Sequence, residues 1–230
     1  MPNNDLIEAK AMNNNLIEAV KNGNIASVTQ LLKDGADSNA INKDGDTPLM
    51  FASESGHTDI VTLLLDRGAE VDAANKDGKR ALMFASEKGH TDIVRDLLKA
   101  GADRNGTNRG YARSALFVAS EKGHTDVVRE LLNYDDSDRH GWRDNALFVA
   151  SEKGYTDIVR DLLKAGAEVT RTDWHRNNPL ILASKNGHTD IVTFLINAGA
   201  NVNDANEDGN NALILAAQNG HTDIVRDLLN

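Results

Sequence analysis

Cysteine is absent from the 230 residues, aromatic residues make up only 4%, and cationic side chains are outnumbered, 25 Lys and Arg against 35 Asp and Glu. The first absence excludes disulfides, thiolate metal sites and a cysteine nucleophile. A formal charge of -10 and a pI near 5.1 repel polyphosphate, which argues against nucleic acid as a partner. No apolar run approaches the roughly 18 to 20 residues that cross a bilayer, and the opening MPNNDLIEAK lacks the basic end and apolar stretch of a secretory signal. The expectation is a soluble chain without signal peptide or membrane association, cytoplasmic or recombinantly expressed. What is present, 40% apolar residues and 26% charged, is the composition of a folded protein.

The chain repeats itself. The glycine of a GHTD motif recurs at Gly56, Gly89, Gly123, Gly187 and Gly220, with a GYTD variant at Gly154, in steps of 33, 34, 31, 33 and 33. Leu49, Leu82, Leu116, Leu147, Leu180 and Leu213 keep the same steps, each seven residues ahead of its glycine. Gly23, in LIEAVKNGN, adds a unit at the front, so seven units run from about Asn13 to the last residue. The doubled start, NNDLIEA at Asn3 and NNNLIEA at Asn13, reads as an extension over residues 1–12 preceding a single domain over 13–230.

Each unit carries its own helix signals. In the second unit Thr47 suits an N-cap and Pro48 the first helical position, and Gly56 can take the left-handed conformation that ends a helix. His57 or Thr58 then starts a second helix, with Asp59 on its positive end and Ile60, Val61 and Leu64 on one face. From Gly68 to Leu82 the chain is rich in Asn, Asp and Gly, as a tight turn requires. Such a helix pair cannot bury its apolar face alone, so neighbouring units must stack.

The segment TPLMFASESGHTDIVTLLLDRGAEVDA, from Thr47 to Ala73, resembles the ankyrin-repeat pattern of TPLHxAA, GH, IV, LLL and GAD, and the resemblance extends over nearly the whole chain. It implies an all-α solenoid of seven helix-turn-helix units, an N-terminal cap, five internal units and a C-terminal cap, with hairpin-like finger loops. The histidine of TPLH is replaced by Met50, Met83, Phe117, Phe148, Ile181 and Ile214, which removes the inter-unit hydrogen bonds that histidine would make and leaves apolar packing in their place. EKGHTDIVRDLLKAGA at Glu87 and EKGYTDIVRDLLKAGA at Glu152 are nearly identical, as recent duplication or a consensus-designed, library-type scaffold would make them; design is the favoured origin, because like frames carry unlike turns.

Variation concentrates in the turns entering units four, five and six: ADRNGTNRGYARSAL, NYDDSDRHGWRDNAL and AEVTRTDWHRNNPL. The shortened second of these loses the helix-ending glycine, and Asn133 is expected to take the left-handed geometry in its place. Trp142, Trp174, Tyr111 and Tyr134, four of the five Trp and Tyr residues, lie in these turns, with seven of the thirteen arginines. Trp, Tyr and Arg dominate binding hot spots because they bury much area for few rotors or offer several donors. The candidate partner-binding residues are Tyr111, Arg113, Tyr134, Arg139, His140, Trp142, Arg143, Trp174, His175 and Arg176, with Lys122 and Lys153 from the adjoining first-helix ends. The alternative is that the rings fold back as edge packing.

No catalytic, metal or cofactor site emerges. The GHTD histidines stand one repeat apart and read as helix starts, and no third ligand joins His140 and His175 at zinc spacing. Asp204, Asn206, Asp208 and Gly209 imitate an EF-hand start, but Leu215 stands where its glutamate belongs. Asn105, Gly106 and Thr107 form a glycosylation sequon, inert unless secreted, and no GxSxG nucleophile motif occurs. The expected function is therefore a non-catalytic, monomeric module that binds a protein target. The rival is nucleotide or RNA binding by aromatic stacking plus arginine, for which the ankyrin part of the oligoadenylate-activated ribonuclease is a family precedent. Against it, the charges of the three turns sum to zero, so counterion release offers little. A scaffold never selected for any target is the third possibility.

Overall fold

The computed structural model describes residues 4–107, 113–133 and 141–230. Fourteen helices are found among them: α1 (Asn4–Lys21), α2 (Ile25–Lys33), α3 (Pro48–Ser55), α4 (Thr58–Asp66), α5 (Ala81–Lys88), α6 (Thr91–Lys99), α7 (Ala115–Lys122), α8 (Thr125–Leu132), α9 (Trp142–Lys153), α10 (Thr156–Lys164), α11 (Pro179–Asn186), α12 (Thr189–Asn197), α13 (Ala212–Gln218) and α14 (Thr222–Leu229). The only β pairing among the described residues is one isolated antiparallel bridge, Ala205 with Asn211. Residues 4–12 of the extension are helical and form the first half of α1, which continues without a break into the first unit.

The chain divides into two compact bodies, Met1–Ala115 and Leu116–Asn230. In the first, α1 packs on α2 and α3, and α3 on α4 and α5; α2, α4 and α6 form a second row. In the second, α9, α11 and α13 form one row and α8, α10, α12 and α14 the other. First helices thus stack on first helices and second on second, because each carries an apolar stripe that only a neighbouring unit can cover.

Local chemistry sets the helix limits. Thr47 Oγ1 accepts the Met50 N–H at 3.3 Å, and Gly56 closes α3 at φ 79°. Asn178 does for α11 what Thr47 does for α3, accepting the Ile181 N–H at 2.9 Å. The stripe of α4, Ile60, Val61 and Leu64, is fully buried, as are Ile158, Val159 and Leu162 of α10. Met50, Met83 and Ile181, in the place of the family's TPLH histidine, are buried at 1 to 4% exposure, so apolar packing does replace hydrogen bonding there.

The hydrogen bonds between units come instead from the GHTD histidines. His90 Nε2 donates to the Glu54 carbonyl at 3.1 Å, His188 to Glu152 at 3.0 Å and His221 to Lys185 at 3.1 Å. Each ring lies flat over the preceding unit's helix-ending glycine: a methyl group on Gly187 would come within 2.6 Å of His221 Cε1. At Gly123 the covering ring is the Tyr155 phenol.

One expectation fails. Asn133 ends α8 in the right-handed region, at φ -71° and ψ -15°. In register it stands where Lys99 and Lys164, the last residues of α6 and α10, stand, and the left-handed position lies two residues further on, at Gly101 and Gly166 in the sister units. The position equivalent to those glycines is Asp135, outside the described residues.

Candidate protein-binding surface

The regular turns of units two, three and seven share one construction. The Asn42 side-chain oxygen accepts the backbone N–H groups of Asp44 and Asp46, both at 2.8 Å, and Gly45 closes the turn at φ 83°. Asn75 and Asn206 do the same, with Gly78 and Gly209 both at φ 77°. The turn entering unit six keeps this frame with different residues. Asp173 replaces the asparagine and accepts from His175 N at 2.9 Å and Asn177 N at 2.8 Å. Trp174, His175 and Arg176 then occupy the second to fourth positions, and Arg176 takes the glycine's place at φ 60°.

That substitution is unfavourable for the backbone. A left-handed conformation costs a non-glycine residue about 1 to 2 kcal/mol, because Cβ crowds the carbonyl that follows. Arg176 is the one non-glycine residue with positive φ among those described. Trp174 is equally irregular as surface chemistry, being 97% exposed with the whole indole in solvent.

The turn is held from below. Glu207 N–H donates to the His175 carbonyl at 2.9 Å, and Asn206 Nδ2 to Asn177 Oδ1 at 3.0 Å. The regular pair of turns is tied alike, Lys76 N to Asp44 O at 3.0 Å and Asn75 Nδ2 to Asp46 Oδ1 at 2.7 Å. In the altered turn a side-chain contact is added, His175 Nδ1 with Glu207 Oε1. That hydrogen bond, and then the Glu207 charge, raise the His175 pKa above the usual 6.5, and the carboxylates of Asp173 and Asp208 add to the effect. The indole is therefore displayed from a backbone with its polar groups already committed.

The shortened turn of unit five is rebuilt by helix. Where α5 and α11 begin directly at the Leu-bearing segment, α9 begins four residues earlier, at Trp142, behind Gly141 in the left-handed region. The extra turn carries Asp144, which is 6% exposed. Its carboxylate accepts the Glu168 N–H at 2.7 Å and Arg171 Nε at 3.1 Å. In the first body the matching backbone N–H groups, Glu70 and Asp103, are accepted by Asn39 and Asp72 from the preceding unit's turn. Asp144 thus supplies from a helix the acceptor that a turn residue supplies in the first body. It also anchors Arg171, at the root of the turn that carries Trp174.

A model of ankyrin repeats in three copies matches residues 16–108, 101–173 and 172–230. The chain belongs to the ankyrin-repeat family. The ankyrin repeat domain of human ASB11, a crystal structure, superposes with a TM-score of 0.81 over 92% of this chain and 96% of that one, at 26% identity. Among curated proteins no match is found. Ankyrin repeats are generally protein-interaction scaffolds without catalytic function. Among the described residues no helix is long and apolar enough to cross a membrane.

Of the residues expected at the surface of this ankyrin array, the structure brings Trp174, His175 and Arg176 together on one turn, all exposed. Trp142 lies in the first turn of α9 rather than in a loop, half-buried, with its indole nitrogen shielded from solvent. Arg113 and Arg143 are half-buried, while Lys122 and Lys153 are exposed at the ends of α7 and α9. Tyr111, Tyr134, Arg139 and His140 lie outside the described residues. Two residues that matter were missed. Glu207 sits in a turn of regular sequence, and Asp144 looked like the tail of an altered loop that also holds Asp135, Asp136 and Asp138, so no local signal singled it out. The first-helix ends carry the charge ladder their sequence suggests, with Lys88 Nζ at 3.5 Å from Glu54 Oε1.

Proposed function

We propose that this ankyrin-repeat chain is a non-catalytic binding module for a protein partner, engaged through the altered turns of units four to six. The exposed Trp174 on a turn of unaltered frame carries the reading. A solvent-exposed tryptophan gains nothing in the isolated chain, whereas tryptophan is the residue type most enriched in interface hot spots. His175 and Arg176 share its turn, and the reading extends to Arg143 and to Tyr111, Arg113, Tyr134, Arg139 and His140, which the altered sequences of these turns carry. Trp142 would contribute from the first turn of α9, with Lys122 and Lys153 at the helix ends. Residues 13–230 act as one repeat domain that carries these turns, behind the helical extension. The contrast between near-identical frames and unlike turns fits a scaffold diversified in its turns, by selection or by design.

The rival, nucleotide or RNA recognition, meets Glu207, Asp208 and Asp173 beside the tryptophan, which would repel phosphate. The test is capture on the immobilised chain, run in parallel for the unaltered protein, Trp174→Ala, and Lys43→Ala as a control in a regular turn. A protein retained by the first and third but lost with Trp174→Ala supports the proposal. Retention indifferent to Trp174, or retention of polynucleotide in its place, refutes it.

A further inference from the structure

The fourth position of the turn motif is glycine at Gly45, Gly78 and Gly209 and arginine only at Arg176, where φ is 60°. Two costs attach to a side chain there. The left-handed backbone is one, and crowding is the other: a methyl group on Gly45 would lie 3.2 Å from Lys76 N and 3.3 Å from Asn75 Cα in the next turn. By the shared frame, the Arg176 Cβ faces the corresponding backbone of turn seven.

Nothing among the described residues offsets these costs. The Arg176 guanidinium is exposed and makes no hydrogen bond or ion pair with any described residue, although Arg171, five residues earlier, is bound to the buried Asp144. Strain retained without an intramolecular return is expected at sites of function.

We infer that Arg176 is a partner-contacting residue of the Trp174 surface, and that the partner there is a protein segment of mixed charge presenting a carboxylate to its guanidinium. This rests on the reading of Trp174 as a docking residue. The guanidinium fork matches a carboxylate in two parallel hydrogen bonds, and the adjacent indole covers the apolar stem of the same partner side chain. The neighbours set the rest of the pattern. Glu207 and Asp208, both exposed, stand on turn seven beside His175 and call for a cation on the partner next to the carboxylate. A polyanion fits badly, since successive phosphates would reach Arg176 and these carboxylates together.

The experiment uses the full chain and two probes, a displayed library of random dodecapeptides and a twelve-nucleotide oligoadenylate. Thermal unfolding of Arg176→Gly is measured beside them. The expected outcome has three parts. Clones whose binding needs Trp174 carry Asp or Glu together with Lys or Arg; their affinity falls about tenfold or more with Arg176→Gly and further with Arg176→Glu; and Arg176→Gly melts about 2 to 4 °C higher than the parent. A lower melting temperature for Arg176→Gly would mean that the arginine serves the fold, and the inference fails. Clones that need Trp174 but tolerate Arg176→Gly overturn the inference and leave the docking surface standing. Clones indifferent to Trp174, or oligoadenylate binding lost with Arg176→Gly, overturn both.

Discussion

Replacing Gly187 by alanine separates the two demands that the repeat places on its helix-ending glycine. Gly187 has φ 81°, and a methyl group there would meet His221 Cε1 at 2.6 Å and Nδ1 at 2.8 Å. Gly199, in the same body, has φ 91° and nothing within 4 Å of a methyl group. Gly199→Ala therefore measures the backbone term alone, about 1 kcal/mol once the reduced freedom of the unfolded chain is credited. Gly187→Ala adds displacement of a packed ring, about 1 to 3 kcal/mol, and weakens the His221 bond to the Lys185 carbonyl, worth about 1 kcal/mol. It should cost about 2 kcal/mol more than Gly199→Ala in urea unfolding followed by circular dichroism. The excess should vanish when His221 is also alanine, giving a coupling of about 1 to 2 kcal/mol in the double-mutant cycle. Equal losses at the two glycines, or a coupling near zero, would refute the claim that ring-on-glycine stacking joins neighbouring units.

Three further outcomes are expected. The hydroxyls of Ser53, Ser86, Ser120, Ser151 and Ser184 are fully buried without a hydrogen-bond partner, and unit seven has Ala217 at this position, so Ser86→Ala should raise the urea midpoint by about 1 kcal/mol of stability at unchanged slope. Asp144→Ala leaves the Glu168 N–H and Arg171 without their acceptor and should cost about 2 to 3 kcal/mol in the same assay, with Asp144→Asn costing less because it retains an acceptor oxygen. His175 should titrate above 6.5 by nuclear magnetic resonance and return toward 6.5 in Glu207→Gln. Because the folded pKa is the raised one, the contact with Glu207 contributes fully below the unfolded value and fades as pH rises through the folded value, so a midpoint unmoved by Glu207→Gln would contradict it.

Local rules made most of the frame legible in the sequence. Thr47, Pro48 and Gly56 set the limits of α3 through interactions within a few residues, and the alternating apolar pattern of TDIVRDLL set the buried face of α10. What stayed hidden depends on contacts between units. His90 reads as a helix start because its acceptor, the Glu54 carbonyl, is 36 residues away and no local pattern shows it. Asp144 was invisible for the same reason, its partners at Glu168 and Arg171 belonging to the next unit. Asn133 was misjudged by two positions, since a deletion inside the turn obscures which residue follows the helix. The surface was read from composition, which drew attention to Trp174, His175 and Arg176. The strain at Arg176 needed the turn aligned on Asn42, Asn75 and Asn206, with Asp173 recognised in the asparagine's place. Composition also grouped Trp142 with the loops, although Gly141 and Asp144 give it a helix start.

The central claim is that Trp174 serves a partner and not the fold, and the most direct measurement is the affinity and the melting curve of Trp174→Ala taken together. With the indole 97% exposed, the melting curve should stay within about 0.5 kcal/mol of the parent. Affinity for the captured protein should fall by about 2 kcal/mol or more, roughly thirtyfold. A variant that binds as well as the parent, or that loses affinity only in step with lost stability, would contradict the account.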